Sequence, residues 1–319
     1  MPNHHITVIG SYVVDLTCHT PRMPKLGETM LGGPFRMGAG GKGGNQAKAA
    51  ARLGAEVTFV TKVGKDDFGR AAIEHFKRER MIIDQVAVDD EEMTGVALIL
   101  VDSRHDNQIV VSLGACGKLS RQDIRKAERD IARSDLVVLQ LETSLEAVET
   151  TLELATRHQV PVILNPAPYQ AFDREWLKTI AFLTPNESEA SALTGLEVAD
   201  REAAREAAIR LAEQGVRNSV ITLGGKGALL TVEDRSSYWF PPYRVDVKDT
   251  TGAGDAFNGG LARALSKGLD AVEAVRYASA VAALSVTEVG TAVSMPRENR
   301  VIRLMESQQE NTEPVRLAE

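Results

Sequence analysis

The sequence predicts an α/β fold with a mainly parallel sheet covered by helices on both faces. Short apolar runs alternate with amphipathic stretches along the chain, and the runs are continuously apolar, as strands buried on both faces are. The predicted strands are 6–10, 57–63, 136–141, 160–165, 181–185, 219–223 and 228–232, and the predicted helices are 44–52, 69–80, 121–133, 145–159, 188–193, 201–214, 256–266 and 270–285. With 319 residues, 43% of them hydrophobic, we expect one domain over residues 1–305.

Two segments interrupt this alternation. Residues 15–37 are rich in Pro and Gly, and residues 93–115 contain two alternating patterns, at 95–101 and 108–113. Segments 11–39 and 93–116 therefore predict a small β-sheet inserted beside the main domain, as a lid or a dimer surface. The polar composition after Met305 predicts a disordered tail over 306–319.

Composition narrows the possible partners and the compartment. The formal net charge of −7 argues against nucleic acid as a partner. Cys18 and Cys116 follow no metal-binding spacing, which favours two reduced thiols in a cytoplasmic protein. The first residues lack a signal-peptide pattern, and no apolar run is long enough to cross a bilayer, so we expect no membrane partner.

The segment 249–260, Asp-Thr-Thr-Gly-Ala-Gly-Asp-Ala-Phe-Asn-Gly-Gly, predicts a phosphoryl-transfer site. Gly252 and Gly254 let successive amides point to one spot at the start of a helix, where an anion is stabilised. Asp255 follows directly and can accept the proton of an attacking hydroxyl. The alternative is an ordinary strand-to-helix turn that Asp255 caps.

A second glycine cluster, residues 38–47, also opens a helix. Its start matches G-x-G-x-x-G, but no strand precedes it immediately, so a dinucleotide fingerprint is rejected. A Walker loop fails because Gly43 follows Lys42. A bare helix start with Lys42 and Asn45 suits a small polyol, and tight helix–sheet packing is the alternative.

Other polar residues follow predicted strands. Asp15 is either a ligand-binding residue or a solvated loop charge. Glu142 follows a buried strand, where a carboxylate needs a partner, and this partner is either a sugar hydroxyl or a structural Arg. Residues 184–189 place acids and an amide at a helix start, where capping alone could account for Asn186. Residues 222–227 form either a ligand-binding turn or a plain β-hairpin.

Taken together, these motifs resemble the ribokinase family of phosphofructokinase-B-type carbohydrate kinases from Ile6 to about Pro296. Segments 40–45 and 249–255 are similar to its two signatures, and 186–189 to its N-x-x-E motif. Segments 164–168 and 140–142 also look like ribokinase segments. The resemblance implies a three-layer sandwich and an ATP-dependent kinase acting on the primary hydroxyl of a small sugar, a pentose at O5, as a homodimer joined through the inserted sheet.

The resemblance also implies residue roles. Asp255 would be the base, and the amides of Gly252, Ala253 and Gly254 would hold the γ-phosphoryl group. The implied sugar ligands are Asp15, Gly41, Lys42, Asn45, Glu142 and Asp255. The implied ATP-site residues are Asn186, Thr222, Gly224, Gly225, Gly227 and Gly254, with Ser279 near adenine. Glu189 would order Mg²⁺ through water, and the implied K⁺ ligands are Asp249, Thr251, Ser285, Gly290 and Ser294.

One position departs from the family pattern. Ribokinases usually carry an Asn two residues before the first-strand Asp, where it reaches the 2-hydroxyl of the sugar, and this chain has Val13. A hydroxyl buried against an apolar side chain loses about 1–3 kcal/mol. Val13 therefore favours 2-deoxyribose or another sugar over ribose. A non-catalytic sugar or nucleotide sensor and a dinucleotide-dependent oxidoreductase remain as alternative functions.

Overall fold

The computed structural model describes residues 4–104 and 106–317. The strands, in chain order, are β1 (His5–Ile9), β2 (Val13–His19), β3 (Phe35–Gly40), β4 (Glu56–Gly64), β5 (Val86–Asp89), β6 (Thr94–Val101), β7 (Asn107–Gly114), β8 (Leu136–Gln140), β9 (Val162–Asn165), β10 (Phe182–Leu183), β11 (Asn218–Thr222), β12 (Ala228–Thr231), β13 (Ser237–Phe240) and β14 (Val315–Arg316). The α-helices are α1 (Lys42–Arg52), α2 (Asp67–Arg78), α3 (Arg121–Lys126), α4 (Glu128–Ala132), α5 (Leu145–Arg157), α6 (Glu187–Thr194), α7 (Arg201–Glu213), α8 (Ala253–Ser266), α9 (Ala271–Ser285) and α10 (Glu298–Ser307).

Ten strands form the large sheet, in the order β14-β13-β12-β11-β10-β9-β8-β1-β4-β5. Every pairing from β5 across to β11 is parallel. The pairings from β11 to β14 are antiparallel. The mainly parallel sheet predicted from the sequence is confirmed.

Helices cover both faces of the large sheet and bury its alternate side chains. On one face, α1, α2 and α8 to α10 pack on strand residues such as Val8 and Val138. On the other, α3 to α7 pack on residues such as Ile9 and Leu139. Because both faces are buried, the strands are apolar throughout, which is the pattern that identified them in the sequence.

The small sheet has the order β3-β2-β6-β7, and it confirms the predicted inserted sheet. Its β2 continues from β1 after a short connection, and its β3 leads directly into α1. Leu16, Val96 and Ala39 pack against the main core. The small sheet is therefore attached beside the strand ends of the large sheet rather than stacked on it.

Several sequence predictions differ from the structure. The predicted helix 121–133 is divided into α3 and α4, and β5, β13, β14 and α10 were not predicted. The predicted disordered tail 306–319 is wrong for residues 306–317, since α10 runs to Ser307 and β14 pairs with β13. Residues 318–319 lie outside the described residues. Within the described residues, no helix is both long and apolar enough to cross a membrane.

Candidate active site

Asp255 lies in the first turn of α8 and is buried, with 7% of its surface exposed. Its two carboxylate oxygens accept hydrogen bonds from Asn45 Nδ2 at 2.9 Å and Gln46 Nε2 at 3.0 Å, both on α1. Burial raises the pKa of the Asp255 carboxyl above its usual range, although the Lys42 charge and the two amide donors act in the opposite direction. An oriented carboxylate with a raised pKa is suited to accept a proton.

The N-terminus of α8 has the geometry of an anion site. Gly252 is the N-cap residue with φ 80°, a left-handed conformation that favours glycine, and no side chain in the described part of the chain caps this end. A Cβ added to Gly254 would meet no heavy atom within 4 Å, so the space beside this amide is open. The helix begins at Ala253, three residues before the predicted start at 256, which places Ala253 and Gly254 in its first turn.

A cavity of about 290 Å³ adjoins this helix end. Of the residues predicted for the nucleotide, it is lined by Thr222, Gly224, Gly225, Gly227, Ala253, Gly254 and Ser279. The turn between β11 and β12 lies on one side and α9 on another, so residues 222–227 form a hairpin and also line a cavity. Most of the other lining side chains are apolar, Phe257 and Val247 among them, which suits the flat faces of a nucleobase.

Asn186 is not among the residues that line this cavity. Its side chain caps α6 in a reciprocal capping box: Asn186 Oδ1 accepts from the Glu189 amide at 2.9 Å, and Glu189 Oε2 accepts from the Asn186 amide at 2.9 Å. Glu189 is buried, and burial raises the pKa of its carboxyl. The charges of Lys42 and Asp255 also act on Glu189, so this helix start lies near the centre of the site.

Glu142 follows β8 and is buried. Its Oε2 accepts hydrogen bonds from the Lys42 amide at 2.8 Å and from Ser11 Oγ at 2.5 Å. These partners stand where the sequence left a structural Arg as the alternative for Glu142. Burial opposes the charge of Lys42, but the carboxylates of Asp255, Glu142 and Glu189 outweigh it and raise the Lys42 pKa.

Lys42 and its neighbours are brought together by the start of α1. Gly41 is the N-cap residue with φ 83°. A Cβ on Gly41 would lie 2.8 Å from the Val13 amide nitrogen, so the helix approaches β2 as closely as glycine permits. This contact places Lys42 and Asn45 beside the first residues of the small sheet.

Asp15, on β2, is partly buried beside these residues. Thr291 Oγ1 donates a hydrogen bond to Asp15 Oδ2 at 3.0 Å. Burial raises the pKa of the Asp15 carboxyl to about 6; Glu142 and Asp255 add to this shift, and the Thr291 hydrogen bond opposes it. Asp15 is therefore part of a cluster of carboxylates and not a solvated loop charge.

The predicted cation residues lie on three segments. Asp249 accepts hydrogen bonds from the amides of Thr251 and Gly290, both at 2.9 Å. Burial disfavours the charge of Asp249, but hydrogen bonds from the Thr251 side chain and from these two amides outweigh it and lower the Asp249 pKa. Ser294 lies in the loop of Gly290, and Ser285 lies at the end of α9, where its hydroxyl donates to the Ala282 carbonyl. No group of three or more His, Cys, Asp or Glu able to hold a metal occurs among residues 4–104 and 106–317.

A buried network of side-chain amides, not predicted from the sequence, lies behind Asp255. Gln46 Nε2 lies 3.1 Å from Asn165 Oδ1, and Gln46 Oε1 accepts from Gln140 Nε2 at 2.7 Å. Asn258 donates to the Gly254 carbonyl at 2.8 Å and so supports the helix start. The sequence offers one signal for this network, since the apolar strands β8 and β9 each end in a residue with a side-chain amide, Gln140 and Asn165.

Three buried polar atoms around this site have no partner among the described residues: Asn45 Oδ1, Gln140 Oε1 and the Tyr243 hydroxyl oxygen. Asn45 Oδ1 is buried and accepts no hydrogen bond from the described residues. A buried acceptor without a partner costs free energy unless a ligand or water supplies a donor. Asn45 Oδ1 therefore marks a place for a hydroxyl donor beside Asp255.

The site combines a buried carboxylate, an open helix N-terminus and an adjoining cavity, as a phosphoryl-transfer enzyme requires. Residues 3–298 match the pfkB family carbohydrate kinase. The chain therefore belongs to this family, and the resemblance seen in the sequence is confirmed.

Relatives agree with this assignment. The chain is 40% identical over 301 residues to the ribokinase of Haemophilus influenzae, covering 94% of this chain and 98% of the relative. It is 40% identical over 292 residues to the deoxyribokinase of Salmonella typhi, covering 91% and 95%. The structure of Arabidopsis thaliana ribokinase complexed with ribose and ATP superposes with a TM-score of 0.88 at 30% identity, covering 96% of this chain and 99% of that one.

Proposed function

We propose that this protein transfers the γ-phosphoryl group of ATP to the O5 hydroxyl of a pentose, ribose or 2-deoxyribose. The single observation that carries the proposal is the position of the Asp255 carboxylate. It lies in the first turn of α8, beside the open amides, and is held by Asn45 of α1. Relatives named ribokinase and deoxyribokinase, each 40% identical, support a pentose as the acceptor.

In this proposal Asp255 accepts the O5 proton as the hydroxyl attacks the γ-phosphorus. The amides of Gly252, Ala253 and Gly254 and the helix dipole stabilise the charge on the transferring group. Lys42 lies among three carboxylates and stays protonated, so it can bind a sugar oxygen or a phosphoryl oxygen. Asp15, Glu142 and the free oxygen of Asn45 bind the remaining sugar hydroxyls.

The metal ions are part of the same proposal. Both carboxylate oxygens of Glu189 are occupied by Asn186, at 2.9 and 3.1 Å, which fits contact with Mg²⁺ through water rather than direct ligation. Mg²⁺ would neutralise charge on the ATP phosphates. Asp249 and the loop containing Gly290 and Ser294 offer oxygens for K⁺ behind the anion site.

Val13 determines the expected sugar preference. It is 2% exposed and packs with Ala97 of the small sheet and with Cys116, and its apolar side chain offers no hydrogen bond where ribokinases carry Asn. We expect kcat/KM for 2-deoxyribose to equal or exceed that for ribose.

A coupled assay of ADP release across ribose, 2-deoxyribose and common hexoses tests this preference and the function together. Val13→Asn is expected to raise kcat/KM for ribose relative to 2-deoxyribose, and Val13→Ala, which adds no hydrogen bond, is the matched control. Activity on none of the pentoses would overturn the function. A much higher kcat/KM for ribose in the unmodified protein would overturn only the role of Val13.

The proposal includes a homodimer joined through the small sheet and a cytoplasmic location. Phe35, Met37, Leu98 and Val110 share one face of this sheet by register, and Leu98 and Val110 are 54% and 68% exposed. An exposed apolar patch of this kind favours association. Light scattering is expected to give a dimer mass for the unmodified protein and a monomer mass for Leu98→Lys.

The proposed cytoplasmic location is supported by the cysteines. Both are free, in keeping with a reducing compartment.

A further inference from the structure

Thr291 joins three parts of the site that are far apart in sequence. Its Oγ1 donates to Asp15 Oδ2 at 3.0 Å, across 276 residues, and lies 3.2 Å from the Ala39 carbonyl oxygen. The loop after α9 therefore contacts both β2 and β3 of the small sheet. A hydroxyl has one proton to donate, and an ionised carboxylate is a stronger acceptor than a carbonyl.

The backbone of Thr291 contacts the anion site. A Cβ built on Gly252 would lie 3.4 Å from Thr291 Cα, so the N-cap of α8 packs directly on this residue. The preceding residue, Gly290, donates its amide to Asp249 at 2.9 Å, and Ser294 Oγ donates to the Thr291 carbonyl at 2.7 Å. These contacts fix the backbone from which the Thr291 hydroxyl reaches Asp15.

The hydrogen bond determines which oxygen of Asp15 is free. Oδ2 is occupied by Thr291, and no described residue donates to Oδ1. Two further carboxylates, Glu142 and Asp255, act on Asp15 and repel its charge. Without Thr291, the carboxylate would lose the hydrogen bond that opposes this repulsion and could rotate away from its neighbours.

We propose that Thr291 is a positioning residue for the sugar: its hydroxyl holds the Asp15 carboxylate with Oδ1 turned to the substrate and ties the small sheet to the anion site at α8. This inference rests on the proposed function, because it takes Asp15 as a sugar ligand. Thr291 itself touches neither phosphate nor the reacting oxygen in this account, so it acts through Asp15.

The test compares Thr291→Val, which keeps the shape and removes the hydroxyl, with Thr291→Ser, which keeps the hydroxyl. Loss of a hydrogen bond to a charged acceptor is expected to raise the pentose KM about tenfold in the Val variant. The kcat and the KM for ATP stay within about twofold, since Asp255 and the helix amides are unchanged. The Ser variant restores the pentose KM. Thr287→Val is the matched control, since the Thr287 hydroxyl, in the same region, donates to the Leu284 carbonyl and not to a site residue.

A pH profile distinguishes a positioning role of Thr291 from a purely structural role. The Thr291 hydrogen bond lowers the pKa of Asp15 against burial, Glu142 and Asp255. Removing it shifts the acid limb of kcat/KM for pentose to higher pH in Thr291→Val, and Thr291→Ser shifts it back. A Val variant with a lower melting temperature but an unchanged pentose KM and acid limb would overturn the inference.

The same experiment distinguishes this inference from the function on which it rests. If the unmodified protein phosphorylates no pentose, the proposed function fails and the inference with it. If the unmodified protein is active and Thr291→Val matches it in KM, only the inference fails. Should Thr291→Val not fold, Thr291→Ala removes the hydroxyl with less bulk at the loop and gives the same comparison.

Discussion

At the scale of single residues, the site gathers more negative charge than it neutralises. The carboxylates of Glu142, Glu189 and Asp255 act on Lys42. The charges of Glu142 and Asp255 also act on Asp15. The hydrogen-bond donors to these carboxylates are mostly neutral amides and hydroxyls, which orient a carboxylate without cancelling its charge. Carboxylates held in this way are ready to accept hydrogen bonds from sugar hydroxyls, and their burial costs stability.

Asp15→Asn is expected to stabilise the protein at pH 8 while it weakens pentose binding. The pKa of Asp15 is raised to about 6 in the fold, above its ordinary value of 3.8, so the folded state binds the proton more tightly than the unfolded state. Stability from this group therefore increases as pH falls through 6 and is lower at pH 8. The amide removes this penalty, and we expect the Tm to rise by about 2–4 °C at pH 8.

Thermal melts of Asp15→Asn at pH 8 and pH 5 check this expectation. The increase in Tm caused by the substitution should be smaller at pH 5, where Asp15 of the unmodified protein is largely protonated. Asp90→Asn is the control, since Asp90 is exposed and its one ion-pair partner among the described residues is Lys65. A Tm at pH 8 below that of the unmodified protein would contradict the assigned pKa.

The sequence predicted those site residues that stand in local motifs. Asp255 and its glycines are contiguous, and Glu142 follows an apolar strand. Asp15 comes soon after the first predicted strand, 6–10, and lies within β2 in the structure. Gln46 and Thr291 were missed because their partners are distant: Gln46 is 209 residues from Asp255, and Thr291 is 276 residues from Asp15. A single sequence does not show which remote side chains meet, so these contacts needed the structure.

At the scale of elements, α1 connects the two ends of the site. Its first turn supplies Asn45 and Gln46 to Asp255. Its last turn supplies Arg52, whose Nη1 donates to the carbonyls of Val293 at 3.1 Å and Met295 at 2.8 Å, in the loop that holds Thr291. Glu79, at the end of α2, fixes Arg52 from the other side.

Glu79→Gln is expected to destabilise the fold by about 3–5 kcal/mol. Glu79 pairs with Arg52 at 3.1 Å and with the almost completely buried Lys48 at 3.0 Å. Removing its charge leaves Lys48 buried without a counter-ion. Urea unfolding measures the loss, and Asp90→Asn, which breaks an exposed pair, should change stability by less than about 1 kcal/mol. Equal stability of the two variants would show that the Glu79 cluster does not hold α1 and α2 together.

Element boundaries were predicted less well than element types. Ile124, Ala127 and Ile131 are all buried on the same core, so the apolar pattern continues across the break between α3 and α4 and cannot reveal it. The predicted start of α8, residue 256, is three residues after the observed start at Ala253. The glycines Gly252 and Gly254 predicted a turn, whereas Gly254 already lies within the helix. A helix N-terminus built from glycine has little sequence signal besides the glycines.

At the scale of the whole molecule, the C-terminal segment completes the large sheet. Val315 pairs with Trp239, and the Leu317 amide donates to the Ser237 carbonyl at 2.9 Å. Thr312 is buried, although the residues before it are polar. Composition alone predicted disorder here, because an edge strand of two residues with one apolar side chain, Val315, gives no periodic pattern to detect.

Deletion of residues 312–319 is expected to lower the Tm by several degrees and to promote aggregation. The deletion exposes the unpaired edge of β13, which can pair with another chain. It also removes Glu313, which pairs with Arg276 at 3.4 Å. Thermal melts followed by light scattering measure both effects, with Glu310→Gln as an exposed control. An unchanged Tm would mean that β14 does not support the sheet.

Elements from distant parts of the chain meet at the candidate active site. The ends of β1 and β8, the N-termini of α1 and α8 and the small sheet meet around Asp255. Parallel strands direct their carboxyl ends to one edge, which is where α/β proteins bind ligands. The proposed function depends on Asp255 acting there as the base of a phosphoryl transfer.

The most direct test is Asp255→Asn, assayed for pentose-dependent ADP release and, separately, for binding of ATP by calorimetry. The unpartnered Asn45 Oδ1 lets that amide flip and accept from the new side chain, so the variant should fold. We expect kcat to fall by about 10²–10⁴-fold. The Kd for ATP should change little, because the cavity is untouched. Turnover near that of the unmodified protein, with ATP bound, would contradict the role of Asp255 and the account built on it.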